Sequence, residues 1–295
     1  MRSSLTLTLN TLILIGVVWI LLPRDLPDMQ VTALSWPKAW AGFGGWSGLE
    51  ISDDGETFWI VSDSGTISRG RLQREDGKLV GVKGRQAIWS DVEATKGDPK
   101  KEQRDAESLA RLPTGLICIS FEREHRMICR RGRLDGPYQT VALTGLDDVL
   151  LYNGGIEALA FSAEGDLLAV PEGSVFRRGP APLFRREDGV WQVIAELPRS
   201  GIWLPAGADV GPDGHLYLLE HGLLGYAFTS RVRRFDLADP QTPETVFQSR
   251  VGRFGNLEGL GVWRDDEGNI RLTMISDDNG VSFLQTQIVE AVLTK

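Results

Sequence analysis

Beyond Arg24 the chain alternates short apolar stretches with turn residues, and five segments repeat one pattern. They are SGLEISDDGETFWIVSD from Ser47, DAESLARLPTGLICISFE from Asp105, GIEALAFSAEGDLLAVPE from Gly155, PAGADVGPDGHLYLLE from Pro205 and NLEGLGVWRDDEGNIRLTMISDD from Asn256. Each opens on a small or turn-forming residue and an acid, and runs through a short apolar alternation. It then turns at a glycine-containing step (DDG, PTG, AEG, PDG, DEG) and returns as a second apolar strand ending in an acid. Glycine supplies the positive φ that tight hairpin turns require. Returning strands such as FWIVSD and LYLLEH are too continuously apolar for a sheet wet on one face, which predicts inner strands buried on both faces. A period of about 50 residues with about four short strands per unit predicts a β-propeller. Five repeats give five four-stranded blades, and a degenerate sixth is left open. The intervening stretches, such as SRGRLQREDGKLVGVKG, carry Arg and Lys suited to solvated outer strands. Residues near Gln287 to Leu293 are expected to close the ring on those near Met29 to Ser35, and Asp91 to Arg104, without apolar periodicity, reads as an exposed loop.

The N-terminus departs from this pattern. Leu5 to Leu22 is an uninterrupted uncharged run, about long enough to cross a bilayer's hydrocarbon core as a helix. No small-x-small cleavage site follows directly, so an uncleaved anchor is favoured over a cleaved signal peptide. The expected organisation is a hydrophobic helix within residues 1–28, as anchor or signal peptide, and an all-β propeller over 29–295. Either reading takes the propeller out of the cytoplasm, to the periplasmic or extracellular side of the cell envelope, and in the favoured one residues 5–22 anchor it to the inner membrane. The two cysteines, Cys118 and Cys129, sit symmetrically about a turn near Glu122 to His125. A disulfide between facing positions and a pair of reduced thiols both remain open.

Net charge changes the picture of the partner. At −8, with a pI near 5.1, the chain repels phosphate backbones and is not expected to bind nucleic acid. It suits cations, or a small anionic ester bridged by one, and it is expected to act as a monomer. In each repeat the first acid precedes a hairpin and the second follows it. The start and end of a hairpin share one sheet edge, so both acids should face one mouth of the central channel. The leading acids are Glu50, Glu107, Glu157, Asp209 and Glu258; the trailing ones are Asp63, Glu122, Glu172, Glu220 and the pair Asp277–Asp278. Carboxylates so crowded need a compensating cation. Oxygen-only ligands suit Ca²⁺, with Mg²⁺ the lesser fit, while only three histidines argue against Zn²⁺. The expected ligands are Glu50, Asp63, Glu107, Glu122, Glu172, Asp209, Glu220 and Asp277. Glu157 and Glu258 are the expected catalytic carboxyls, with His221, which follows a trailing acid, as a general acid or base. Arg123, Arg126, Arg231 and Arg253 are candidates to clamp an anionic substrate. Their bland alternative is pairing with nearby acids, as that of the acids is turn capping.

The motifs SGLEISDDG, DAESLA, GIEALA, PAGADVGPDGHLYLLE, SRVRRFD, NLEGL and TMISDDN, spread over Trp36 to Leu293, together resemble the phytase-like domain family, described by an esterase-like activity of phytase. The resemblance implies a propeller, bacterial export and hydrolysis of phosphate or carboxylic esters. Two positions depart from the family pattern. Ser108 stands where glycine is usual, and His221 stands where arginine is more usual. Three functions fit one acidic mouth: a divalent-cation-dependent phosphoesterase or esterase, a non-catalytic envelope-tethered binding propeller, and a metal-dependent lactonase of the senescence-marker type.

Overall fold

In a computed structural model of the protein, residues 24–26, 29–40, 42–88, 103–132, 137–146, 148–173, 179–281 and 284–293 are described. The apolar run Leu5 to Leu22, and with it the expected N-terminal helix, lies outside them, as does most of the Asp91 to Arg104 stretch. Among the described residues no helix is long and apolar enough to cross a membrane.

Among the described residues the strands form five four-stranded antiparallel sheets, the five blades of the ring. The first blade holds β2 (Trp46–Ile51), β3 (Thr57–Ser62), β4 (Thr66–Glu75) and β5 (Lys78–Ile88). The second holds β6 (Ala106–Arg111), β7 (Leu116–Phe121), β8 (Arg126–Arg131) and β9 (Gln139–Val141). The third holds β10 (Ile156–Phe161), β11 (Leu167–Pro171), β12 (Ala181–Glu187) and β13 (Val190–Leu197). The fourth holds β14 (Leu204–Val210), β15 (Leu216–Leu224), β16 (Ala227–Asp236) and β17 (Asp239–Gln248). In the fifth, β18 (Asn256–Arg264), β19 (Ile270–Asp277) and β20 (Thr286–Leu293) are completed by β1 (Gln30–Trp36) from the other end of the chain. β1 and β20 pair from Gln30 with Val292 to Trp36 with Thr286. That ladder closes the ring as the sequence pattern predicts.

The strands that open the blades, β2, β6, β10, β14 and β18, pack against one another around the channel. Apolar side chains of adjacent blades meet between the sheets. One cluster joins Tyr217, Leu219 and Val232 of the fourth blade to Leu257, Leu272 and Met274 of the fifth. Each fully buried Leu, Ile or Phe contributes about 1.5–3 kcal/mol relative to exposure, so the blades hold one another in place. Tryptophans strengthen the closing seam. Trp36 of β1 lies parallel to Trp46 of β2 with centroids 6.2 Å apart, and Trp40 and Phe43 meet both edge-on. Cys118 of β7 faces Cys129 of β8 across the ladder, Cα atoms 4.1 Å apart, and the two are disulfide-bonded. Of the two alternatives for the thiols, the structure holds the bridge.

Candidate functional site

Every inner strand carries a β-bulge, and the bulge decides where its acid points. The register slips between Trp46 and Gly48, Ala106 and Ser108, Ile156 and Ala158, Pro205 and Gly207, and Leu257 and Gly259. The extra residues are therefore Ser47, Glu107, Glu157, Ala206 and Glu258. A bulged residue leaves the ladder and its side chain is re-aimed. Here Glu107, Glu157 and Glu258 turn to the same mouth of the channel, where they line a cavity of about 150 Å³ with Glu122, Glu172, Asn153 and His221. The hairpins close at this mouth: the backbone N–H groups of Asp63, Glu122 and Glu172 donate to the carbonyls of Gly45, Asp105 and Gly155. Gly45 suits this turn because its φ of +64° is one that other residues rarely adopt.

The mouth gathers carboxyls with little to separate them. Burial first, then the charges of Glu122, Asp105, Asp63 and Glu172, push the Glu107 carboxyl well above the usual range. Burial and then Glu107, Glu172, Glu122 and Glu258 do the same to Glu157. Glu258 is raised by burial and then by Asp277, Glu107, Asp63 and Glu172. Glu172 is pushed up to about 7 by burial and Glu122, with Arg199 opposing. Asp277 is pushed up to about 6 by burial, with Asp63 and Asp278 adding. Glu122 is raised by burial and Asp105, with Arg123 opposing. Asp105, Glu107 and Glu122 each offer a carboxylate oxygen, all within 4.8 Å of one another. Three hard oxygen donors that repel one another fit Ca²⁺ or Mg²⁺.

On the far side of the cavity His221 Nδ1 stands 4.0 Å from Glu258 Oε1. Burial holds the imidazole pKa below its usual value, with Asn256 and the Glu220 charge opposing, so the ring is neutral near pH 7. The Asn256 amide donates to Glu258 Oε1. Glu157 Oε1 accepts the N–H of Gly155 at 3.0 Å. Asp278 is held at the rim by the N–H groups of Gly45 and Gly280, with Lys38 Nζ 3.9 Å away.

Other expected site residues fall elsewhere. Glu50 and Asp209 are not at this mouth. Each sits three residues past its bulge, about 10 Å further along the channel, and the two line a separate cavity of about 540 Å³ with Asp53, Arg111, Phe161 and Trp263. Both are latched to a neighbouring blade: Glu50 Oε1 accepts the Arg111 N–H at 3.0 Å, and Asp209 Oδ2 the Val262 N–H at 2.7 Å. Glu220 is no free ligand either. Buried in the fourth blade, it is held by Arg231 Nε at 2.7 Å and Arg233 Nε at 2.6 Å. That pairing also withdraws Arg231 from any substrate. Arg253 pairs with Asp25 at 2.9 Å. Arg126 lies over the Phe121 ring, 3.8 Å from its centroid, and donates to the Gln103 carbonyl. Of the four expected clamps only Arg123 reaches the mouth, where it pairs with Asp105 and Glu122. His125 turns away to the Leu151 carbonyl, 2.9 Å from its Nε2.

Sequence reasoning missed Asp105 and Arg199. Asp105 opens the DAES motif immediately before β6, a place that could have marked it. Arg199, beside Glu172, has no repeat signature.

A family model described as phytase-like, esterase-like activity of phytase, matches residues 41–280. No curated protein matches the sequence. Solved structures similar in fold include the PQQ-bound form of an aldose sugar dehydrogenase from Streptomyces coelicolor. It is 13% identical, with a TM-score of 0.48 over 90% of this chain and 100% of that one. A gluconolactonase from Xanthomonas campestris is 14% identical, with a TM-score of 0.44 over 92% and 95%. The calcium-binding protein regucalcin from Agrobacterium tumefaciens is 12% identical, with a TM-score of 0.46 over 85% and 91%.

Proposed function

Since this chain belongs to the phytase-like family, matched over residues 41–280, we propose that its acidic mouth is the site of a divalent-cation-dependent hydrolase acting on small anionic esters, phosphoesters foremost. The observation that carries the reading is the Asp105, Glu107 and Glu122 trio, whose oxygens lie within 4.8 Å of one another. Asp63 and Glu172 stand close enough to act on Glu107, and Asp63 in turn on Asp277. These residues would hold Ca²⁺, which when bound would neutralise an anionic ester and polarise its reacting bond.

The chain's own groups divide around that trio. Asp105, Glu107 and Glu122 belong to the second blade. Glu157, His221 and Glu258 come from the third, fourth and fifth, and line the same cavity. A neutral His221 can take a proton at Nδ1, which stands 4.0 Å from Glu258 Oε1. Asn256 orients that carboxyl through its amide. Glu157, pushed up by burial, is a carboxyl able to carry a proton to a leaving group. Arg123 and Arg199 are the cations nearest an anionic substrate, one beside Glu122 and the other beside Glu172.

The test is metal removal and return on the full chain, with p-nitrophenyl phosphate, phytate, short esters and lactones as substrates. Turnover of a phosphoester that appears only with Ca²⁺ supports the reading. Turnover confined to lactones would transfer it to a lactonase. A melting temperature raised by Ca²⁺ without turnover of any substrate would leave a binding propeller. Neither turnover nor a thermal shift would remove the cation site altogether.

A further inference from the structure

The acidic mouth shares its face of the propeller with an apolar groove that the proposed hydrolase does not use. β15 and β16 run on past the mouth as a hairpin, and at its tip Leu223 is 55% exposed and Tyr226 fully so. Between this hairpin and the segments around Phe254 and Leu284 lies a groove of about 720 Å³, lined by Leu223, Tyr226, Phe228, Phe254, Val281 and Leu284 among others. It adjoins the mouth directly: Leu223 is two residues from His221, and Phe254 two from Asn256. Beyond the opposite rim of the mouth, next to Asn153, Tyr152 is 70% exposed and Leu151 also stands in solvent. A cluster of large apolar side chains at one end of a ring marks a contact surface.

The path of the chain says what that surface meets. The Arg24 carbonyl accepts Gln248 Nε2 at 2.9 Å. Asp25 accepts the Arg250 N–H at 2.9 Å and pairs with Arg253 Nη1 at 2.9 Å. Arg253 itself lines the groove, its guanidinium 4.9 Å from the Phe254 ring centroid. The first described residues are thus fastened to the groove's edge. The uncharged run Leu5 to Leu22 ends two residues before Arg24, and two residues reach at most about 7 Å. The groove therefore lies beside the point where the described chain begins, two residues in sequence from that run.

We infer that the face bearing the groove docks on a lipid bilayer, with the acidic mouth opening along the membrane surface rather than away from it. Tyrosine and leucine at a hairpin tip suit the headgroup level, where an aromatic ring can be apolar on one side and wet on the other. Arg250, largely exposed and 4.0 Å from Asp25, adds at the groove's edge a cation that matches a lipid phosphate. The inference stands apart from the hydrolase reading: a propeller without activity would dock in the same way.

The test uses the full chain in vesicles of phosphatidylethanolamine and phosphatidylglycerol that contain doxyl-labelled lipid. Tyr226→Cys is labelled with an environment-sensitive fluorophore, and Glu164→Cys, in the turn at the opposite end of the channel, serves as the control. Cys118 and Cys129 are bonded to each other, so only the introduced thiol reacts. Both substitutions replace exposed side chains and leave the core untouched. The expected result is a blue-shifted emission at position 226, with several-fold stronger doxyl quenching there than at 164. Equal quenching at the two positions overturns the inference. So does a blue-shifted label at 226 that lipid does not quench, which would mean that the chain's own segment or a second copy fills the groove.

Discussion

The two mouths of the channel hold the same kind of residue in opposite circumstances. At one end the buried Glu50 and the half-buried Asp209 have oxygens that accept backbone N–H groups of the next blade, and Arg111 stands beside Glu50. At the other end Glu107, Glu157 and Glu258 come off bulges that interrupt the ladder and share a cavity with Glu122 and Glu172. Burial raises the carboxyls at both ends: Asp209 to about 7 and Glu172 to about 7. A raised pKa therefore does not distinguish a structural acid from a chemical one. What distinguishes them is where the oxygens go, onto the backbone of the neighbouring blade at one end and into a shared cavity at the other, where Glu157 binds only the Gly155 N–H beside its own strand.

The sharpest way to test that contrast is to neutralise one acid of the crowded mouth. Glu107→Gln keeps the shape and removes a ligand from the trio. Calcium-dependent turnover should fall by at least about a hundredfold, on the order of 2.7 kcal/mol. Because the lost charge was a buried and repelled one, the melting temperature without cation should hold or rise. Steady-state assays and calorimetry on the same preparation check both halves. Full turnover in the variant would show that the trio is not the cation site.

The next effect is on stability against pH. Raised carboxyls bind protons in the folded state at pH values where the unfolded chain has released them. In the window from the ordinary carboxylate range up to about 7, the folded state binds more protons, so stability falls as pH rises. Glu172, Asp209 and Asp277 all act in this direction. The cation-free protein should melt several degrees higher at pH 5 than at pH 8. Adding Ca²⁺ at pH 8 should recover the part due to the acidic mouth. It should leave the part due to Asp209, which Asp209→Asn would remove instead. If Ca²⁺ erased the whole pH dependence, the two mouths would not be independent.

How much of this was legible in the sequence depends on which force sets each feature. The propeller was legible because glycine turns and a period of about 50 residues are local signals that repeat. The ring closure followed from matching apolar strands at the two ends of the chain. The acid positions were only partly legible, because aligning the repeats on their acids set Glu50 and Asp209 in line with Glu107, Glu157 and Glu258. The true register is set by how closely the inner strands approach. A Cβ on Gly259 would lie 2.7 Å from the Leu49 amide nitrogen, and one on Gly207 would lie 2.7 Å from the Glu258 carbonyl oxygen. The position after each bulge must therefore be small, and it is Gly48, Ser108, Ala158, Gly207 and Gly259. Read on that small residue, the repeats give acids at three bulges, serine and alanine at the other two, and Glu50 with Asp209 three residues later. Ser108 belongs to this series. It sits on β6, and its Oγ accepts the Leu159 N–H of the next blade at 3.0 Å. The Glu220 cluster was legible only as an alternative, the pairing of Arg231 with some nearby acid: which acid it meets, and that Arg233 joins it, is set across a hairpin of the same blade, a pairing that no repeat position encodes.

The smallest expected effect lies at the quiet end of the channel, and there two substitutions of one residue should part company. Glu50→Gln keeps an oxygen for the Arg111 N–H while removing a carboxyl that burial and Asp209 hold well above the usual range. Glu50→Ala removes the acceptor and strands that N–H inside the ring, which costs about 1–3 kcal/mol. Urea melts at pH 7 should place the alanine variant clearly below the parent and the glutamine variant at or above it. Calcium-dependent turnover should be unchanged in both, since neither touches the cavity of Glu107, Glu157 and Glu258. Loss of turnover in the glutamine variant would tie the two ends of the channel together through the inner strands. Equal stability of the two variants would mean that Glu50 is not the latch its geometry describes.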